Sequence, residues 1–502
     1  MLFNSWIFIA FFLPVVLAGY YLLKNRNNGD YAIVFLVLAS LFFYGWWDVR
    51  YVPLLLLSIV TNYVIGQKCS EGSTHNRSWL IFGILLNIAA LGYFKYAGFF
   101  VESINALGHD FTVPQIILPL AISFFTFQQI AYLVDSYKGH MKQVGFKYYC
   151  LFVSFFPQLI AGPIVHHSEM LPQFIKKQKE KINWHLFTGG LVVFVIGLFK
   201  KVVIADRLAE VATPIFTSAS NGSVLTFFES WIGALAYTFQ LYFDFSGYSD
   251  MAIGLAALFG IMLPLNFLSP YKAKNIQEFW QRWHITLSRF LRDYLYIPLG
   301  GNRHGKNRQY MAIFVTFLLG GIWHGANWTF AIWGALHGFY LIVYHAFKQI
   351  KMPKALAWFI TFLAVVVGWV FFRADSVETA LYMLQSMRGD FGVALFDPQN
   401  GLGQFLNVLG IDVMQSGSKL LRLNDKIYLL IVAFIIAIFA PSTHEIMNKS
   451  VALSHNKLSS EIDTGRWLRF VPNIRWAVFI GLLAALALLS LTSVSEFLYF
   501  QF

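Results

Sequence analysis

Apolar runs long enough to cross a bilayer, about 20 residues each, recur along the whole chain between short polar and basic loops. This pattern is typical of a polytopic helical membrane protein. In the first half, the predicted spans cover residues 5–23, 31–47, 51–66, 79–101, 116–134, 148–165 and 186–201. In the second half, they cover residues 226–241, 310–332, 332–347, 355–371, 427–440 and 476–491. Because some of these are kinked or re-entrant, we expect an all-α fold of about 11 spans in one domain, residues 1–502.

The basic residues set the expected orientation. Lysine and arginine follow the first span and separate the third from the fourth, which places those loops in the cytoplasm and the N-terminus outside. The basic segment of residues 449–475 precedes the last predicted span and should be cytoplasmic, which puts the C-terminus outside too. The formal net charge of +12 is explained by cytoplasmic loops and anionic membrane lipid, and it does not imply nucleic acid.

One predicted span is a poor straight helix. Residues 148–165 contain Pro157, Gly162 and Pro163, and broken backbone at membrane depth is tolerated only where it is buried in protein or lines a cavity. We therefore expect a re-entrant or kinked wall here. The adjacent pair His166 and His167 is not a ready chelating set, since neighbouring helical residues point about 100° apart. We predict no metal site.

His324 is the candidate with the clearest chemistry. It lies in GGIWHGANW, inside the apolar run 310–332, and an ionisable side chain there is costly unless it faces a protein interior or a wet cavity. Trp323 and Asn327 add a bulky wall and an amide beside the imidazole, which suits a buried general base. Alternatively, His324 only bonds a neighbouring helix while the glycines serve packing. If one helix ran unbroken, His337 would face about 220° away, so the two histidines would not share a metal.

His284 lies upstream in WQRWHITLSRFLRDYLY, a segment with apolar residues at helical spacing and several arginines. The pattern predicts an amphipathic helix on or in the membrane surface. As structure alone, this would be an ordinary interfacial helix. The dense basic set between residues 271 and 308 should be cytoplasmic, where it could attract an anionic substrate.

YFDFSGYSD supplies a third polar group. Its side chains Asp244, Ser246 and Asp250 could bind substrate hydroxyls, or they could satisfy a helix kinked at Gly247. Both possibilities stay open at this point.

Several of these segments together resemble one family. WQRWHITLSRFLRDYLYIPLGGNR followed by GGIWHGANWTF, with FFPQLIAGPIVHHSEMLPQF, YFDFSGYSDMAIG and PLNFLSPYKAKNIQEFW, is similar to the membrane-bound O-acyltransferases, in the bacterial branch of alginate and peptidoglycan O-acetyltransferases. The resemblance runs through most of the chain. It implies an all-α fold around a central funnel with a catalytic core at about residues 115–350.

The resemblance also implies site residues. It makes His324 and His284 catalytic, and we expect Asn327, Trp323, Arg282 and Asp244 to contact substrate. The implied donor is a cytoplasmic thioester such as acetyl-CoA, with no permanently bound cofactor.

The implied product is an acylated extracytoplasmic polysaccharide such as alginate or peptidoglycan, made with a periplasmic partner protein. The location is then the inner membrane of a bacterial cell.

The terminal sequence SEFLYFQF allows two interpretations. A terminal aromatic cluster usually anchors a helix at the interface. Similar endings in this branch suggest instead that Tyr499 carries the acyl group. The competing function for the whole chain is a transporter or flippase that moves an ion or solute with its membrane histidines.

Overall fold

The computed structural model describes residues 1–25, 29–70, 76–139, 144–176, 181–392, 408, 427–447, 469–491 and 497–498. Within these ranges every regular element is a helix, so the predicted all-α class is confirmed. In the N-terminal part the α-helices are α1 (Leu13–Asn25), α2 (Gly29–Gly45), α3 (Val52–Ser70), α4 (Asn76–Leu91), α5 (Ala97–Asn105), α6 (Ile122–Tyr137), α7 (Phe146–Ser154), α8 (Phe156–Leu159), α9 (His167–Lys176) and α10 (Trp184–Phe199).

The remaining described α-helices are α11 (Asp206–Ser220), α12 (Phe227–Leu258), α13 (Ile276–Arg282), α14 (Ile285–Leu291), α15 (Lys306–His324), α16 (Trp328–Phe347), α17 (Lys354–Arg373), α18 (Val377–Arg388), α19 (Ile427–Phe439), α20 (Thr443–Met447) and α21 (Ile474–Leu489). Short π-helical segments occur at Phe8–Phe12, Gly92–Tyr96, Lys200–Ala205 and Arg292–Tyr296.

Five continuous helices among the described residues are long and apolar enough to cross a membrane. They are Val49–Ser70, Asn76–Asn105, Trp184–Ser220, Trp328–Phe347 and Lys354–Arg373. Shorter apolar helices are Phe8–Lys24, Gly29–Gly45, Ile427–Phe439 and Ile474–Leu489. The membrane character is as predicted, while the count of 11 spans stays a prediction.

Side-chain caps begin several of these helices. Asn275, Asn327, Ser376 and Asn473 each accept a hydrogen bond from a backbone N–H in the first turn of α13, α16, α18 and α21. Such a cap satisfies one of the N–H groups that a helix start leaves without an intrahelical partner. These four polar residues therefore mark the first turns of their helices.

The described residues form two compact units. The first comprises the described residues within 1–199, 246–266 and 442–498, and the second comprises those within 200–245 and 267–441. In the first unit, glycines bring the backbones of two helices together: a Cβ on Gly190 would lie 2.7 Å from the carbonyl oxygen of Gly254, and one on Gly197 would lie 2.6 Å from that of Gly247.

This packing bears on the possible kink. Helix α12 runs without interruption from Phe227 to Leu258, so Gly247 lies inside one continuous helix. The absence of a side chain at Gly197 lets α10 approach the α12 backbone at Gly247. The glycines serve close helix contact, as small residues do in membrane proteins.

Candidate active site

The second unit holds a tight helical hairpin made by α15 and α16. A Cβ on Gly321 would lie 2.8 Å from Gly334 Cα, so the two backbones approach as closely as glycine permits. Helix α15 ends at His324, Gly325 is extended, and Asn327 caps α16 by accepting from the N–H of Thr329 at 3.0 Å. The predicted span 310–332 is therefore wrong: His324 lies at a helix end beside a turn, not in the middle of one helix.

His324 is held in a defined tautomer. Its Nδ1 lies 2.6 Å from the carbonyl oxygen of Gly320, one turn earlier on α15. A carbonyl only accepts hydrogen bonds, so Nδ1 carries the hydrogen and Nε2 carries the lone pair of the neutral ring. The side chain is 5% exposed. Three aromatic rings contact the imidazole with centroid distances of 4.9, 4.9 and 5.5 Å: Trp323, Trp333 and Phe372.

His284 is wholly buried and lies between α13 and α14, where its backbone is left-handed with φ +42°. The single amphipathic helix predicted at the membrane surface is therefore wrong, because the segment breaks at His284 and its apolar side chains are buried. A non-glycine residue in this conformation stores strain, of order 1–3 kcal/mol, that the surrounding packing must hold. Phe245 meets the imidazole edge to face at a centroid distance of 4.8 Å.

Electrostatics places the two predicted catalytic histidines near each other. Burial lowers the pKa of His284 well below its ordinary value, and the charge of a protonated His324 would lower it further. His337 on α16 lies close by as well, since Trp333 contacts both its ring and that of His324. The site therefore contains three neighbouring imidazoles, and His284 is kept neutral at physiological pH.

The predicted substrate-contacting residues have protein partners. Asn327 donates its amide to the carbonyl of Asp375 at 2.8 Å in addition to capping α16. Arg282 pairs with Glu278 at 2.9 Å and donates to the carbonyl of Leu268 at 3.2 Å. Of the four, Trp323 contacts the His324 ring directly. The substrate roles of these residues stay predictions.

Asp244 lies in a buried ionic group. Lys201, from the π-helical segment Lys200–Ala205, approaches Asp244 at 2.7 Å and Asp206 at 2.6 Å. Both Lys201 and Asp244 are almost fully buried. The next residue after Asp244 is Phe245, the ring that packs against His284. The ion pair therefore fixes the turn of α12 that supports the site.

Sequence reasoning gave His337 no role, because it considered this residue only as a possible metal ligand shared with His324. The hairpin instead brings Trp333 into contact with both imidazoles, at 4.9 Å from His324 and 5.0 Å from His337. His337 is wholly buried, and its Nδ1 accepts a hydrogen bond from Trp280 Nε1 at 3.2 Å. Trp333 and His337 are four residues apart and therefore lie on the same face of α16. This spacing was the sequence signal that could have revealed their contact.

The first unit contains a separate polar cluster. Asp250 on α12 accepts from Thr443 Oγ1 at 2.6 Å and lies 3.0 Å from His444 Nε2. These contacts join α12 to α20 and account for Asp250 without a substrate. Tyr499 lies outside the described residues. Among those that are described, no group of three His, Cys, Asp or Glu side chains is placed to hold a metal ion.

Comparison with protein families identifies the family of proteins to which this chain belongs. A family model described as "MBOAT, membrane-bound O-acyltransferase family" matches residues 47–380, which include the whole region from α3 to the start of α18 and all three histidines. The chain belongs to this family. The O-acyltransferase predicted from the motifs is thereby confirmed, and nothing in the comparisons supports a transporter.

Three curated relatives show which branch is similar. A "Peptidoglycan O-acetyltransferase" of Helicobacter pylori is 49% identical over 442 residues, covering 81% of this chain and 83% of the relative. A "Probable alginate O-acetylase AlgI" of Pseudomonas aeruginosa is 38% identical and is covered over its whole length, as is this chain. A protein of the same name from Azotobacter vinelandii is 43% identical over 77% of this chain and 78% of its own.

Proposed function

We propose that this O-acyltransferase takes an acetyl group from a cytoplasmic thioester, acetyl-CoA, and passes it across the bacterial inner membrane for O-acetylation of an extracytoplasmic polysaccharide. The names of the relatives support the acyl group and the acceptor class. Since the relative at 49% identity is named for peptidoglycan, that polymer is the first acceptor to test, with alginate second. A periplasmic transferase is the partner that completes the reaction.

The observation that carries the proposal is the tautomer of His324. With Nδ1–H donating to Gly320, Nε2 is the ring nitrogen that carries the lone pair, and so it is the atom that accepts a proton in general-base catalysis. A hydrogen bond of this kind both orients the imidazole and stabilises the imidazolium once the ring is protonated. The turn at Gly325 keeps the ring at the end of α15, where the backbone is not covered by a further helical turn.

The proposed reaction is acyl transfer with His324 as general base. The acceptor hydroxyl loses its proton to Nε2 as its oxygen attacks the thioester carbonyl carbon. The tetrahedral intermediate then breaks its carbon–sulfur bond, and the leaving thiolate takes the proton back from the imidazolium. Atoms and charge balance, and His324 ends as it began.

His284 is proposed to position the thioester. Burial keeps its imidazole neutral, so it can donate a hydrogen bond to a polarised carbonyl without adding a fixed charge beside His324. The strained backbone at His284 is consistent with a residue that packing holds in place for function. Tyr499 is proposed to receive the acyl group and relay it outward, and both termini are proposed to lie outside.

The test is thioester turnover by purified protein in nanodiscs with radiolabelled acetyl-CoA. We expect His324→Ala to lose turnover by at least about 100-fold, as general-base removal typically does, while its thermal unfolding stays close to that of the wild type. His345→Ala, at the far end of α16, is the matched control and should retain turnover. Equal turnover in His324→Ala and wild type would remove His324 from the chemistry.

A further inference from the structure

His337 presents a buried hydrogen-bond donor that has no acceptor among the described residues. An indole N–H only donates, so the bond from Trp280 Nε1 shows that His337 Nδ1 is an acceptor and that the ring hydrogen is on Nε2. Within the described part of the chain, His337 Nε2 has no hydrogen-bond partner. Leaving a buried donor without a partner is energetically unfavourable, so its presence calls for an explanation.

Trp333, which contacts His337, carries a second buried donor. Trp333 Nε1 is also buried without a partner among the described residues. A Cβ built on Gly368 would lie 2.9 Å from His337 Nε2 and 3.5 Å from Trp333 Cδ1, the carbon bonded to that indole nitrogen. Glycine at position 368 of α17 thus keeps a side chain away from His337 Nε2 and from the edge of the Trp333 ring that includes its N–H.

The side chains around His337 Nε2 and Trp333 Nε1 indicate which chemical group could bind there. The place offers two neutral N–H donors, and the aromatic rings of Phe279, Trp280 and Trp369 surround His337. Neutral donors in apolar surroundings suit an uncharged acceptor such as an amide carbonyl, whereas a phosphate would need cations. Since Trp333 contacts both His324 and His337, an oxygen bound here belongs to a group a few bonds from an acyl carbon reacting at His324.

We propose that His337 Nε2–H and Trp333 Nε1–H bind the amide carbonyl nearest the sulfur in the arm of the thioester donor. This inference rests on the proposed function, since it concerns the donor of that same site. Coenzyme A carries such an amide two carbons from its sulfur. The bond places the thioester beside His324 and discriminates against thioesters that lack the amide, because these leave two buried donors without a partner.

The experiment compares two small donors, the thioacetate of N-acetylcysteamine, which keeps this amide, and n-butyl thioacetate, which has none. The quantity measured is the ratio of their kcat/KM values from thiol release. We expect the wild type to favour the amide donor by about 10-fold or more. His337→Phe, which removes the donor, and Gly368→Ala, which places a methyl group in front of it, should each bring the ratio close to 1.

Matched controls are His345→Phe on the same helix and Gly481→Ala, where a Cβ meets nothing within 4 Å; both should keep the wild-type ratio. Thermal unfolding checks that each variant is folded. An equal ratio for the wild type, or a wild-type ratio in either His337→Phe or Gly368→Ala, overturns the inference. Absence of acetyl-CoA turnover by the wild type, measured separately in the radiolabel assay, would instead refute the proposed function.

Discussion

The contact of Gly321 with Gly334 gives the sharpest prediction about the hairpin. A Cβ added at Gly321 would lie 2.8 Å from Gly334 Cα, whereas ordinary contact begins at 3.4 Å. The two helices must therefore move apart by at least 0.6 Å, and the obstacle is backbone, which cannot rotate away. Overpacking of this kind costs about 1–3 kcal/mol. We expect Gly321→Ala to lower the thermal unfolding midpoint.

The same movement reaches the chemistry. His324 is three residues after Gly321 and ends the helix that would be displaced. A misplacement of about 1 Å can cost about 100-fold in rate, so the shift required here should lower kcat by about 10-fold or more. The assay is acetyl-CoA turnover together with thermal unfolding, both in nanodiscs.

Gly481→Ala supplies the control for the substitution itself. No atom lies within 4 Å of the added Cβ there, and alanine is favoured over glycine inside a helix by about 0.5–1 kcal/mol. The control should therefore unfold at the wild-type temperature or slightly above. If Gly321→Ala keeps both the unfolding midpoint and the turnover of the wild type, the hairpin geometry described here is incorrect.

Further predictions concern the surroundings of the site. Lys201→Met should destabilise the protein strongly, by about 3–5 kcal/mol, because it leaves buried carboxylates without their cation; adding Asp244→Asn should restore part of the loss in denaturant unfolding. Burial lowers the pKa of His284, so the unfolded chain takes up a proton first as the pH falls below about 6.5, and stability is lost there; His284→Asn should show a weaker drop between about pH 7 and pH 5. Tyr499→Phe should abolish acetylation of the outer product in a stable protein; intact acetylation would exclude the relay.

The sequence was sufficient for the fold class because membrane helices are dictated by runs of apolar residues. It was also sufficient to single out His324, since ionisable residues are rare in such runs, whereas His284 was singled out by the family resemblance. In the structure, His324 and His284 are close enough to influence each other electrostatically. Their catalytic roles remain predictions.

Local breaks in the helices were not readable from hydropathy. The turn at Gly325 lies among residues as apolar as a span, and the cap at Asn327 decides that a new helix begins there. At Gly247 the sequence left a kink open as one possibility, and the structure shows a close contact with α10. A glycine permits a bend or a close approach, and only tertiary packing determines which occurs.

The partners of buried polar side chains also could not be predicted from the sequence. Asp244 pairs with a lysine more than 40 residues earlier in the chain, and His337 receives its hydrogen bond from Trp280 on another helix. Neither pair has a fixed sequence spacing. Sequence patterns report local periodicity, so contacts between distant helices must come from the structure.

The left-handed backbone at position 284 also determines which substitution would suit structure determination of the protein with its thioester donor bound. Among ordinary residues, asparagine enters that conformation with little penalty, whereas β-branched residues resist it. His284→Asn should therefore preserve the chain path while removing the imidazole. Such a variant is the natural choice for holding an intact thioester long enough for its structure to be determined.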